Sequence, residues 1–262
     1  MVNSVYIGHS KINQILLPIK IRNPQSKIRN LMLLNRTVDS YHFGFSLNLT
    51  ESQLHALTNF FHHPDPAGVS VLNGRTSVTP VQLNGIGSVV IKHYRRGGLM
   101  RYFIKHRYFK YGKTRARREF ELLDIVGNLG INVPQPIAYA HRGRLFYRAW
   151  LVTREIHQPL SLARLSLQDT KKTSTAMASV SEQILSLIQN DILHVDLHPG
   201  NIVVDAAGKV YLLDFDKGCV YHGNRQKLKI RYLARWQRAV NKHRLPEMLN
   251  DILRAGLEDI QV

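Results

Sequence analysis

Alternating and β-branched apolar runs fill the first part of the chain, and helical periods fill the second. Val69, Val71 and Leu72 lead into Asn73-Gly74. Thr76, Val78 and Val81 run on to Asn84-Gly85, a hairpin signal, and Ser88 to Tyr94 is a third β-branched run. Three antiparallel strands are predicted there, followed by a helix over 99–110. Between Arg115 and Leu129, apolar residues at 120, 122, 123, 125, 126 and 129 keep a helical period. Gly130 is the expected stop, with Pro134 and Pro136 beyond it. A strand pair is predicted over 136–154, a helix over 177–189, and a short hairpin through Val203-Val204, Gly208 and Val210 to Leu213. Helix is predicted from about residue 225 onward. Strands first and helices later predict an α+β architecture, with a small β-rich lobe over 67–156 and a helical lobe over 157–262. Residues 1–66 close on His62-His63-Pro64-Asp65-Pro66 and read as an N-terminal extension whose role is not legible.

Composition adds a compartment and a charge. Hydrophobic residues make up 44 % of 262, enough for a sizeable core. The single cysteine, Cys219, excludes an intramolecular disulfide and fits a reducing cytoplasm. The start shows no signal-peptide pattern, and no run of about 18 apolar residues suits a bilayer. Lys and Arg total 36 against 18 Asp and Glu, a net charge of +18. Such a field draws polyanions. No acidic residue lies between Asp65 and Glu119, and ten Lys and Arg crowd 95–118 among Tyr102, Phe103, Tyr108, Phe109 and Tyr111. Basic residues with aromatics suit a membrane interface or a nucleic acid. No nucleic-acid signature accompanies them, so an anionic membrane surface is the expected partner and no specific nucleic acid is.

The chemistry is written in three pieces. His194-Val195-Asp196-Leu197-His198-Pro199-Gly200-Asn201 matches the protein-kinase catalytic loop, His-Arg-Asp-Leu-x-x-x-Asn, at His194, Asp196, Leu197 and Asn201. There a carboxylate reaches the acceptor hydroxyl as its proton leaves, and a carboxamide on the same loop reaches a magnesium ion. Asp214-Phe215-Asp216 stands where kinases carry Asp-Phe-Gly, whose Asp binds magnesium; Asp216 replaces the glycine. Val89-Val90-Ile91-Lys92 resembles the third-strand lysine that holds nucleotide phosphates. Its partner is expected from Glu119 or Glu121, with Glu119 preferred because Phe120 and Leu123 then form the buried side beside it. No full Gly-x-Gly-x-x-Gly occurs. Gly74, Thr76 and Ser77 stand where a phosphate loop belongs, and Gly85-Ile86-Gly87 reads as a turn. Together these imply a protein-kinase-like bilobal fold using ATP and Mg²⁺.

Protein kinases carry an Ala-Pro-Glu after the Asp-Phe-Gly and a large helical peptide-binding region; this chain has no Ala-Pro-Glu and ends at Val262. Leu197 to Asn201 resembles small-molecule phosphotransferases more. Ile91-Lys92-His93-Tyr94-Arg95-Arg96-Gly97-Gly98 looks like the lysine strand of bacterial 3-deoxy-D-manno-octulosonic acid (Kdo) kinases. Thr114 to Phe120, Val133 to Ala138, Phe146 to Ala149 and Asp214-Phe215-Asp216-Lys217-Gly218 are similar to that family's following segments. Val195 and His198 differ from its more usual Ala-Asp-Leu-Asn. The resemblance spans about residues 67 to 240. It implies transfer of the ATP γ-phosphate to a Kdo hydroxyl of the lipid A precursor, at the cytoplasmic face of the inner membrane. A heptose of the same core, or another small-molecule or protein acceptor, is the alternative. Asp196 is then the catalytic residue, Asn201 and Asp214 hold the metal, and Lys92 and Glu119 bind ATP. Arg95, Arg96 and His198 are candidates for the anionic acceptor, since guanidinium forks suit carboxylate and phosphate.

Overall fold

The structure is a computed structural model. It describes residues 2–7, 10–17, 31–63, 78–94, 108–109, 112–144 and 146–258, with side chains from residue 33 onward except at 78, 79, 108 and 109. The elements run β1 (Val2–Ile7), β2 (Ser10–Leu17), β3 (Leu31–Val38), β4 (Tyr41–Phe45), α1 (Glu51–His62), β5 (Val78–Leu83), β6 (Gly87–His93), β7 (Tyr108–Phe109), α2 (Arg115–Asn128), β8 (Pro136–Arg142) and β9 (Phe146–Arg154). There follow β10 (Leu160–Ser161), α3 (Leu162–Gln168), α4 (Thr170–Gln189), β11 (Ile192–Leu193), β12 (Ile202–Val204), β13 (Val210–Leu212), β14 (Cys219–Val220), α5 (Arg225–His243) and α6 (Met248–Glu258). The chain forms two compact units, one of residues 1–124 and 135–155, the other of 125–134 and 156–262. No described helix is long and apolar enough to cross a membrane.

The first unit is built on one antiparallel sheet in the order β1-β2-β3-β4-β8-β9-β6-β5, with β7 paired to β9. The segment ahead of residue 66 does not lie apart. Its strand β4 pairs with β8 through His42↔His141, Phe43↔Ala140, Gly44↔Tyr139 and Phe45↔Ala138, extending the sheet well beyond the three strands and strand pair expected. Thr50 caps α1 in a capping box with Gln53, and Leu54, Leu57 and Phe61 recur on one helical face. That face joins Phe43, Phe45, Val89, Ile91, Ala138, Ala140 and Val152 in the core. Phe61 stacks on Trp150 at 4.8 Å. Strand alternation turns the intervening residues to the other face, where Tyr139 meets Phe120 of α2 at 5.4 Å between ring centroids. Gly44 is required there: a Cβ on it would stand 2.2 Å from the Tyr139 ring.

The Asn84-Gly85 turn forms as expected, with Gly85 at φ 77° and Ile86 N–H donating to Leu83 C=O at 3.0 Å. Helix α2 stops at Asn128, and Gly130 follows at φ 81°. The helix expected over 99–110 is corrected in part. Tyr108 and Phe109 form strand β7 against Tyr147 and Phe146, as aromatic residues beside a sheet edge favour, while 99–107 lie outside the described residues. The first strand of the expected trio, around Val69 to Leu72, lies outside them too.

The second unit is mainly helical. α4 starts at Thr170, capped by Asp169, seven residues before the apolar period becomes visible at Met177, because its first residues are Thr-Lys-Lys and carry no hydrophobic signal. It buries Ala176, Met177, Val180, Ile184, Leu187 and Ile188. β12 and β13 form the expected hairpin, with β10 added on the β12 side.

Candidate active site

In the first unit, alternation on β6 fixes where Lys92 goes. Val89 and Ile91 are buried with α1, so Lys92 turns to the α2 side of the sheet. Its ammonium donates to both Glu119 oxygens at 2.9 Å each. Glu119 is almost fully buried, its side chain 3 % exposed against 17 % for Lys92. The Tyr94 hydroxyl also donates to Glu119, and the Lys92 ammonium lies 5.2 Å from the Tyr94 ring centroid. Glu121 is engaged elsewhere, by Lys113 at 2.7 Å and Arg117 at 2.9 Å. A cavity of about 300 Å³ opens at this end of α2, among Asn35, His42, Lys113, Arg117, Tyr139 and His141. Burial pushes the Tyr139 phenol up to about 12, so it stays protonated at neutral pH.

In the second unit, β11 delivers the loop that carries His194, Asp196 and Asn201. His194 is a structural post. Its Nε2 lies 2.8 Å from the Leu213 carbonyl, which only accepts, so the proton sits on Nε2; its Nδ1 is buried without a partner. Its ring meets Phe215 edge-on at 4.4 Å, which ties the loop to the Asp214-Phe215-Asp216 segment. Burial holds its pKa below the ordinary histidine value. The Asn201 carboxamide donates through Nδ2 to the Asp196 carbonyl at 2.9 Å, and its own backbone carbonyl accepts from Leu213 N–H at 2.9 Å. Its side-chain oxygen is the end left to address a ligand. Asp214 follows directly at φ 63°, a strained conformation for a residue with a Cβ. His198 caps the short 3₁₀ turn Pro199–Asn201, its Nδ1 accepting from Gly200 N–H at 3.0 Å. Burial holds the His198 pKa down, opposed by Asp196 and reinforced by Arg235 and His243.

Several residues that sequence reading did not single out hold this loop. The Tyr232 hydroxyl accepts from His194 N–H and donates to the Ile192 carbonyl, both at 2.8 Å. Arg225 forks onto Asp191, just ahead of the loop, at 2.9 and 3.1 Å. Arg235 Nη2 pairs with Asp196 Oδ1. These three project from α5 at 225, 232 and 235, a helical spacing that sequence could have shown had the helix been expected to face the loop. Asp196 itself keeps 42 % of its side chain exposed. Gly74, Thr76, Ser77, Arg95 and Arg96 lie outside the described residues.

Residues 68–254 match the family model described as lipopolysaccharide kinase (Kdo/WaaP) family. A 3-deoxy-D-manno-octulosonic acid kinase of Vibrio vulnificus (strain CMCP6) is 33 % identical over 185 residues, 70 % of this chain and 77 % of the relative. The protein of that name from Vibrio parahaemolyticus is 33 % identical over 168 residues, 62 % of this chain and 69 % of the relative. Its namesake in Xylella fastidiosa (strain M12) is 32 % identical over 174 residues, 65 % and 68 % of the two chains. With a family match over most of its length, the chain belongs to the lipopolysaccharide kinase (Kdo/WaaP) family.

Proposed function

We propose that this protein transfers the γ-phosphate of ATP to a hydroxyl of Kdo in a lipid A precursor. The observation that carries the reading is the loop from His194 to Asn201. It is locked by hydrogen bonds at His194, His198 and Asn201, yet leaves the Asp196 carboxylate half exposed. A carboxylate on a rigid loop is what orientation of an acceptor hydroxyl needs. Asp196 aligns the hydroxyl and takes its proton late in the transfer, when the new P–O bond is largely formed. Lys92, neutralised and aimed by Glu119, binds the α- and β-phosphates; Gly74, Thr76 and Ser77 add donors to the phosphates. Arg95, Arg96 and His198 address the acidic acceptor.

The donor set fits Mg²⁺. Asp214 and the Asn201 side-chain oxygen are hard oxygen ligands, and Mg²⁺ is ordinarily held by one or two protein groups with phosphate oxygens and water completing it. When bound, the ion neutralises the phosphate oxygens. The basic surface supports peripheral attachment to the cytoplasmic face of the inner membrane, where an anionic lipid-linked acceptor resides.

The test is mass spectrometry of a Kdo-bearing lipid A precursor incubated with protein, ATP and Mg²⁺, beside the Asp196→Asn variant. One added phosphate, lost in the variant, is expected. Phosphate added only to a heptosylated acceptor would move the reading to a heptose kinase. Full turnover by Asp196→Asn would remove Asp196 from its role.

A further inference from the structure

The ion pair between Asp196 and Arg235 leaves an arginine beside the reacting hydroxyl with capacity to spare. Arg235 engages Asp196 through Nη2 alone, and its Nε is buried without a hydrogen-bond partner. An arginine held by one donor of five keeps its remaining guanidinium N–H groups for a ligand. The side chain is 36 % exposed, so an acceptor placed on Asp196 reaches it. The surroundings favour an anion. Helix α5, which carries Arg235, has seven Lys and Arg and no carboxylate. His198 lies within electrostatic reach of Arg235, and its ring sits 6.5 Å from that of His243 at the helix end. With Nδ1 occupied by Gly200 N–H, a neutral His198 carries its proton on Nε2, another donor at the same place.

We propose that Arg235 is a specificity-determining residue that binds the carboxylate of the acceptor sugar while steadying Asp196, so that the sugar is held in one orientation and a single ring hydroxyl is presented for transfer. This rests on the reading of Asp196 as the residue that meets the acceptor. A bidentate guanidinium–carboxylate pair sets distance and plane together, which a lysine does not. The role differs from that of Arg225, whose fork is already filled by Asp191. It also differs from that of Tyr232, whose hydroxyl bonds to backbone groups.

The experiment compares two acceptors, the Kdo-bearing lipid A precursor and its carboxylate methyl ester, with wild-type protein, Arg235→Gln and Arg235→Lys. Turnover is followed with ATP, and equilibrium binding with a non-hydrolysable ATP analogue. For the free acid, Arg235→Gln is expected to lower kcat/KM by about 10- to 100-fold, the range for a hydrogen bond to a charged group, mostly through KM. For the ester, the fall is expected to be a few-fold. Arg235→Lys recovers part of the loss, and KM for ATP does not move. Equal losses on both acceptors, with unchanged melting curves, would overturn the proposal and leave Arg235 as a support for Asp196 alone. Equal wild-type affinity for acid and ester would overturn it as well. Arg235-dependent preference for the acid without phosphate transfer would instead sink the kinase reading on this sugar and leave the carboxylate site standing.

Discussion

Asp214 carries a backbone cost that glycine would not. At φ 63° it occupies the left-handed region, which costs a residue with a Cβ about 1 kcal/mol relative to glycine. Asp214→Gly is therefore expected to hold or raise the melting temperature while abolishing phosphate transfer, and calorimetry with the mass-spectrometric assay on one preparation checks both. Lys92 presents the opposite case. Removing it as Lys92→Met takes the paired cation from the Glu119 carboxylate in a nearly dry site, so about 3 kcal/mol of stability should go with the activity. A melting temperature unchanged from wild type would mean that the other partners of Glu119, Tyr94 among them, suffice for it. His194 gives a pH signature. Its folded pKa lies below the ordinary 6.5, so below that pH the unfolded chain takes up a proton that the folded chain resists. Its share of stability is whole above pH 6.5 and is lost as pH falls toward the folded pKa. His194→Gln keeps an amide donor for the Leu213 carbonyl and removes the titration. Its melting temperature should fall less steeply than wild type's between pH 7 and 5; parallel curves would place the acid sensitivity elsewhere.

Helix α5 works as a clamp on the loop from Asp191 to Asp196, and that is the element the sequence concealed most. Its apolar residues Leu228, Tyr232, Trp236, Ala239 and Val240 predict a helix readily. Nothing in the pattern says that its buried side meets residues 191–196, because that contact is tertiary. By contrast, Lys92, Glu119, Asp196, Asn201 and Asp214 stand out as candidates in the sequence, since each sits in a short motif whose spacing kinase chemistry would dictate. The preference for Glu119 over Glu121 followed from helical faces alone, and the structure pairs Glu119 with Lys92. The start of α4 was hidden by a polar first turn, and β7 by aromatics set among basic residues. Tyr232→Phe tests the clamp. It removes two buried hydrogen bonds and leaves the His194 N–H and Ile192 C=O unpaired, a cost of about 2 kcal/mol. Activity is expected to fall more than stability does, because the loop that aims Asp196 loses its anchor. Normal kcat in a destabilised Tyr232→Phe protein would show that the loop holds its shape without the helix.

Across the whole molecule, the charge and the extension ahead of residue 66 belong to different explanations. The extension was unreadable because its signal is strand pairing with β8, more than ninety residues away, and short strands far apart in sequence announce no partner. The charge was readable at once, yet +18 names no ligand until it is placed. Part of it is now placed on α5, where Lys227, Arg238 and Lys242 are exposed and no acidic residue interrupts them. Cations near an anionic bilayer contribute about 1 kcal/mol each, so three of them change membrane affinity by orders of magnitude if α5 faces the lipid. Co-sedimentation with phosphatidylglycerol vesicles, against phosphatidylcholine vesicles, is expected to show selective binding. That binding should weaken as the screening length drops from ~10 Å at 0.1 M salt to ~3 Å at 1 M. The combined variant Lys227→Glu, Arg238→Glu, Lys242→Glu should lose most of it and keep its melting temperature. Undiminished binding by that variant would shift the attachment to the basic, aromatic stretch over 95–118 and leave α5 with its catalytic-loop role alone.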